Sequence, residues 1–190
     1  QVELCGWQYD HVNHKHKKGF RFLQLGWSDG NTFLPVSFSL LSASKKAREA
    51  DKLDERTHSG KRKAQAQRKA TEVLVELLQA ALKEGIKANY VLFDSWFSSP
   101  KVFHALSDIK LHAVCMIKRS KKVYYGYKGN WVDVKTIFQA EKKRRGRSRY
   151  LLSVCVASEV DGKEVPIKLV YVRNRNKRND YLVLATTDTS

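Results

Sequence analysis

Apolar and polar positions alternate along the first forty residues and then change period. Residues 2–9 read as a short strand that leads into a turn rich in histidine and lysine. Over residues 19–27, Phe20, Phe22 and Gln24 fall on one side and Arg21, Leu23, Leu25 and Trp27 on the other. Both sides are largely apolar, which predicts a central position in a sheet. Ser28-Asp29-Gly30-Asn31 is turn chemistry, and residues 32–41 return as a third strand, so an antiparallel meander is expected. Residues 42–69 break this texture. Lys45, Lys46, Arg48, Lys52, Arg56, Lys61, Arg62, Lys63, Arg68 and Lys69 face only Glu49, Asp51, Asp54 and Glu55, which predicts a solvated segment turning helical at its end. From Ala70 the spacing of Val73, Leu74, Leu77, Leu78, Ala81 and Leu82 is that of an amphipathic helix, with Gly85 as its stop.

A strand is expected over residues 90–93. A helix then opens with Ser99 as N-cap and Pro100 at its first position, and residues 111–117 form another strand. Beyond Lys118 the pattern becomes one of short strands, at 123–127, 150–158, 165–172 and 181–185. A short helix over 134–140 interrupts them, and Val160-Asp161-Gly162-Lys163 reads as a hairpin turn. The fold class is therefore α/β, an α/β body followed by a β-rich module over residues 119–186.

Composition adds a charge argument. The 190 residues are 42% hydrophobic, enough for a real core, yet 36 Lys and Arg stand against 19 Asp and Glu, for a formal charge of +17. Such an excess points to a polyanionic partner, nucleic acid first. Cys5, Cys115 and Cys155 are far apart, and the latter two sit in apolar runs as small core hydrophobes, which suits a reducing compartment. No apolar stretch approaches the roughly 20 residues of a membrane span. The chain opens at Gln1, within strand-like sequence, and is expected to be a piece of something longer.

The candidate chemistry centres on Asp94, a single carboxylate delivered by an apolar strand at its C-terminal end, where α/β proteins place ligands. A loop-capping aspartate is the simpler alternative. Against it stand Trp96 and Phe97, expected to pack and hold the strand end rigid. The densest cationic run, Lys142-Lys143-Arg144-Arg145-Gly146-Arg147-Ser148-Arg149, is either a solvated loop or a set of phosphate contacts. Two further groups extend it: Lys118, Arg119, Lys121 and Lys122, and Arg173, Arg175, Lys177 and Arg178. Tyr124, Tyr125, Tyr127 and Trp131 are core residues or base-stacking platforms. His11, His14 and His16 near Cys5 fit no zinc spacing and read as a turn.

Val91-Leu92-Phe93-Asp94-Ser95-Trp96-Phe97-Ser98 resembles the second-aspartate motif of bacterial DDE transposases of the insertion-sequence-four family. Trp7-Gln8-Tyr9-Asp10-His11 is similar to the Tyr-Asp-His segment of that family. Leu25-Gly26-Trp27-Ser28-Asp29-Gly30 and Phe33-Leu34-Pro35-Val36 resemble its second and third strands. The resemblance implies a ribonuclease-H-like mixed sheet with flanking helices and a β-rich insertion. Residues 1–118 would be the core, 119–186 the insertion and 187–190 the return towards the core. It implies two Asp and one Glu holding two divalent cations, Mg²⁺ or Mn²⁺, hard ions suited to oxygen ligands and to in-line attack on a phosphodiester. Asp94 would be the second Asp, both catalytic and metal-binding. The first is expected before the chain begins, and the Glu after Ser190, on a helix with a Tyr…Arg…Glu…Lys signature. Asp10 matches the Tyr-Asp-His position, not the first metal ligand. The implied partners are double-stranded DNA (transposon ends and target), with a homodimer compatible and no membrane, in the bacterial cytoplasm with the nucleoid. A basic nucleic-acid-binding module without catalysis, or another ribonuclease-H-like nuclease, is the alternative.

Overall fold

The computed structural model describes residues 4–42, 54–177 and 179–190, which fall into two compact units, residues 1–86 and 87–190. In the first, β1 (Gly6–Asp10) pairs with β2 (Lys15–Gly19), and β3 (Arg21–Ser28) pairs with β4 (Phe33–Leu41), both antiparallel. These are separate two-stranded sheets, so the expected meander is replaced by two hairpins. The reason lies in β2. Its Lys-His-Lys-Lys-Gly sequence is exposed or half-exposed throughout, so it carries no apolar period to betray a strand, and its pairing takes up β1.

Strand β3 is likewise not central. Leu23 and Leu25 on one face pack with Leu41 against Val73 and Leu77 of helix α2 (Ala70–Lys83), while Phe22 and Phe38 pair on the opposite, exposed face. The register shifts at Gly26, where the ring of Phe33 lies so close that a Cβ would sit 2.1 Å from it. The intervening turn is held by Asp29, whose Oδ1 accepts the amides of Asn31 and Thr32 at 2.9 and 2.7 Å.

Helix α1 (His58–Ala66) is N-capped by Thr57, whose hydroxyl accepts the Gly60 amide at 3.0 Å. The basic residues Lys45, Lys46, Arg48 and Lys52 lie outside the described residues, as do Glu49 and Asp51. Helix α2 buries the expected stripe and stops at Gly85, where φ is +89° and the Ile86 amide donates to the Ala81 carbonyl at 3.1 Å.

The second unit opens with a parallel pair, β5 (Tyr90–Phe93) and β6 (His112–Ile117), joined by the crossover helix α3 (Pro100–Asp108). Ser99 is the N-cap of α3 by position, but its side chain makes no capping bond. Then come β7 (Tyr125–Tyr127), β8 (Asn130–Val132), α4 (Val134–Ala140), β9 (Tyr150–Val160), β10 (Lys163–Arg173) and β11 (Tyr181–Thr186). They form one mixed seven-stranded sheet in the order β5-β6-β11-β10-β9-β7-β8, antiparallel after the first pair. With its flanking helices this is the expected ribonuclease-H-like α/β architecture.

Val102, Phe103 and Leu106 of α3 are buried with Cys115 of β6 and with Ile167 and Leu169 of β10. His104 donates from Nε2 to the Ser158 carbonyl at 2.9 Å, tying α3 to β9. Cys155, expected in the core beside Cys115, is exposed instead, because alternation along β9 puts it on the other side from buried Val156. The Asp161-Gly162 turn has positive φ at both positions, the geometry that suits a two-residue hairpin. Strand β8 was not legible: three residues after a Lys128-Gly129 turn carry too little pattern. Among the described residues strand β5 is an edge of the sheet, and Leu92 on it is 75% exposed.

Candidate active site and nucleic-acid interface

Asp94 follows the last residue of β5 and is exposed. Its Oδ1 accepts the Trp96 amide at 2.7 Å, and its own carbonyl accepts the Phe97 amide at 3.3 Å. This is the local turn an aspartate makes after a strand, and it engages one carboxylate oxygen. Oδ2 has no hydrogen bond among the described residues, so the turn fixes the group while leaving an acceptor for a cation. Of the two aromatics expected to brace this point, only Phe97 does so, edge-on to Phe93 with centroids 6.5 Å apart. Trp96 is 59% exposed, and its ring lies under the Lys118 ammonium at 5.3 Å.

Strand direction decides what accompanies Asp94. The C-terminal ends of β5, β6 and β10 and the N-terminal ends of β9 and β11 all meet at one end of the sheet. That end therefore carries Asp94, then Lys118 and Arg119 after β6, Asp180 and Tyr181 at the start of β11, Arg173 closing β10, and the cationic run leading into β9. From β5 to β9 is four strand steps, about 19 Å at the usual spacing of about 4.8 Å.

The cations along this end differ in their surroundings. Arg119 pairs with Asp180 at 2.6 Å and covers the Tyr181 ring at 4.7 Å. Tyr181 stacks on Phe138 of α4 at 3.9 Å, and the Lys143 ammonium covers Phe138 at 4.7 Å. Lys143 also donates to the Gln139 carbonyl at 3.3 Å, so it closes the end of α4 and is only half-exposed. Arg144 lies on the Tyr150 ring at 4.7 Å, and its amide donates to the Leu151 carbonyl at 2.8 Å. Lys142, Arg145, Arg147 and Arg149 are exposed, and the ion pairs of this unit engage Arg119, Lys128 and Lys163 instead. Arg178 lies outside the described residues.

Hydrogen bonds from Arg119 and then Asn174 hold the Asp180 carboxyl down at about 2, and the same bond raises Arg119. The Asp180 partnership and the Phe138–Tyr181 stack were not anticipated. Arg119 and Asp180 come together through sheet pairing, across 61 residues, and the stack forms where α4 packs on the start of β11. Of the aromatics offered for stacking, Tyr125 is core, Tyr127 donates to Glu141, and Tyr124 and Trp131 are exposed.

In the other unit, Asp10 accepts from Asn13 and Val12 and pairs with Lys17 at 3.1 Å, with its carboxyl held far below the usual range chiefly by Asn13. It is a turn residue. His11 and His16 lie against Tyr9, and His14 meets its hydroxyl at 3.3 Å. Among the described residues no cluster of three or more His, Cys, Asp or Glu is arranged to hold a metal. Asp94 offers one exposed carboxylate oxygen, and the described residues do not assemble a group of three ligands around it.

A family model for DDE superfamily endonucleases matches residues 2–168. The chain belongs to that superfamily. A comparison with curated proteins finds no match. Endonucleases of this superfamily act on DNA and generally use divalent metals, so the cationic sheet end belongs to a nuclease-type protein. No helix among the described residues is long and apolar enough to cross a membrane.

Proposed function

We propose that this superfamily member is part of a DNA transposase of the insertion-sequence-four type, cutting and joining phosphodiesters at transposon ends. Asp94 acts as one metal-binding carboxylate, with Mg²⁺ or Mn²⁺ as the ion. The observation that carries the reading is that Asp94 and the cationic run emerge at the same end of the same sheet. About 19 Å of separation corresponds to roughly six nucleotide steps of 3.4 Å along one strand. A duplex laid across that end has one phosphate at Asp94 and others at Arg145, Arg147 and Arg149. Residues 1–118 are read as the catalytic core and 119–186 as a β-rich insertion whose strands meet β6 through β11. The described acids form no group of three with Asp94, so in this reading at least one further carboxylate comes from outside the described residues.

The test is made on the complete protein. Asp94→Asn keeps the turn-forming acceptor and should leave duplex affinity within about twofold while removing divalent-metal-dependent cleavage by 10³-fold or more, on the order of 4 kcal/mol of barrier. Cleavage at the normal rate by that variant overturns the metal-ligand role and favours a non-catalytic nucleic-acid module. In a second arm, Arg144, Arg145, Arg147 and Arg149 are all replaced by alanine. The salt dependence of binding should flatten by up to roughly 0.9 log units per lost phosphate contact, equally for unrelated duplexes. An unchanged slope returns the run to a solvated loop.

A further inference from the structure

The cationic run 142–149, with Gly146 and Ser148 within it, is expected to wander in solvent, and the structure gives it fixed anchors. The Arg173 guanidinium donates from Nε to the Ser148 carbonyl and from a terminal nitrogen to the Gly146 carbonyl, both at 2.9 Å. The Arg173 amide donates to the Arg149 carbonyl at 2.8 Å, and the Arg144 amide to the Leu151 carbonyl at 2.8 Å. Gly146 itself sits at φ +87°, a left-handed conformation that other residues adopt only with strain, although a Cβ there would meet nothing within 4 Å. Three carbonyls of the loop are thus turned onto one arginine and its amide at the end of β10. The neighbouring side chains Arg145, Arg147 and Arg149 are left exposed.

We infer that residues 145–149 form a preset phosphate-binding loop whose positioning residue is Arg173; this deepens the DNA-binding reading above and rests on it. A planar fork with fixed N–H directions can hold two carbonyls at once, whereas an ammonium is a single point donor. Arg173 is itself exposed and cationic, so the competing account is that it touches phosphate directly. The two accounts separate cleanly. A direct contact contributes to counterion release and hence to the slope of affinity against salt. A positioning contact lowers the ordering cost of binding, which changes affinity at every salt concentration and leaves the slope alone.

The experiment measures anisotropy of a short fluorescein-labelled duplex against the 190-residue chain over a range of salt. Wild type is compared with Arg173→Lys, Gly146→Ala and Arg147→Ala. Arg173→Lys keeps the charge and Gly146→Ala removes no charge, contact or space, so neither deletes a phosphate ligand. Both should weaken binding roughly tenfold, equivalent to ~1.4 kcal/mol, with slopes parallel to wild type. Arg147→Ala should instead flatten the slope by up to roughly 0.9. Circular dichroism should be unchanged for Arg173→Lys and Gly146→Ala and the melting temperature should fall by no more than about 4 °C, because the loop lies outside the core. Wild-type affinity for both of these variants overturns the positioning role while leaving DNA binding intact. A further variant, Arg173→Ala, whose slope flattens as that of Arg147→Ala does also overturns it, in favour of direct contact. Failure of the wild-type chain to bind any duplex sinks the DNA reading and the preset loop together.

Discussion

A carboxylate held by a guanidinium or by a ring of amides is poorly placed to hold a metal, and the aspartates of this chain divide along that line. Asp10 is tied by Asn13, Val12 and Lys17, Asp180 by Arg119 and Asn174, and Asp188 by Ser190 and Tyr90. Asp94 engages one oxygen in its turn. The tied acids have a consequence in acid. The Asp180 carboxyl lies at about 2 in the folded chain against an ordinary value of 3.8. A depressed carboxyl contributes stability that is fully present above its unfolded value and lost as pH falls through the folded one. The window for this pair is therefore between about pH 4 and about pH 2. Asp180→Asn should lower the melting temperature at neutral pH, with the difference from wild type closing across that window as the native carboxyl protonates. Melting curves that stay separated by the same interval down to about pH 2 would show that Asp180 acts through something other than its charge.

At the scale of elements, strand β5 is short, parallel to β6 on one side and, among the described residues, unpaired on the other. It presents Tyr90 and Leu92 to solvent. An apolar strand edge is a template for pairing with another chain, and a lysine there is the common remedy. Leu92→Lys should alter unfolding stability by no more than about 0.5 kcal/mol, as for an exposed site, while reducing self-association in sedimentation or light scattering. Unaltered association would place the contact elsewhere, for instance on the exposed Phe22 and Phe38 face. Which elements were legible follows from where burial is one-sided. Helix α2 buries a single stripe, so its period and its glycine stop stand out, and β9, β10 and β11 alternate against a core. Strand β2 buries almost nothing and β8 is three residues long, so neither writes a period into the sequence. The partnering of β1 with β2 is fixed by a turn at His14, with φ of 51°, which no hydrophobic pattern announces.

For the molecule as a whole, charge and motif each reach part of the site. The formal +17 indicates a polyanion, and the Asp94 motif marks the strand end, but neither states that loop and carboxylate share one end of a sheet. That fact depends on pairing β11 between β6 and β10, strands separated in sequence by the whole of β7 to β9. The aromatic stack that joins Arg119 to Lys143 depends on it too. Among the described residues, no group of three metal ligands forms at Asp94. One exposed carboxylate gives at most a weak, mostly water-ligated cation site, whereas in-line displacement requires charge stabilisation on both the attacking and the leaving oxygen. The 190-residue chain should therefore bind duplex DNA and yet leave supercoiled plasmid intact in Mg²⁺ or Mn²⁺. The assay is conversion of supercoiled to open-circular plasmid by the purified chain, with Asp94→Ala alongside to expose contaminating nuclease. Nicking that needs metal and disappears in Asp94→Ala would mean that the remaining ligands lie within these residues. The acids outside the described residues are Glu3, Glu49 and Asp51, and alanine at each would show which completes the site.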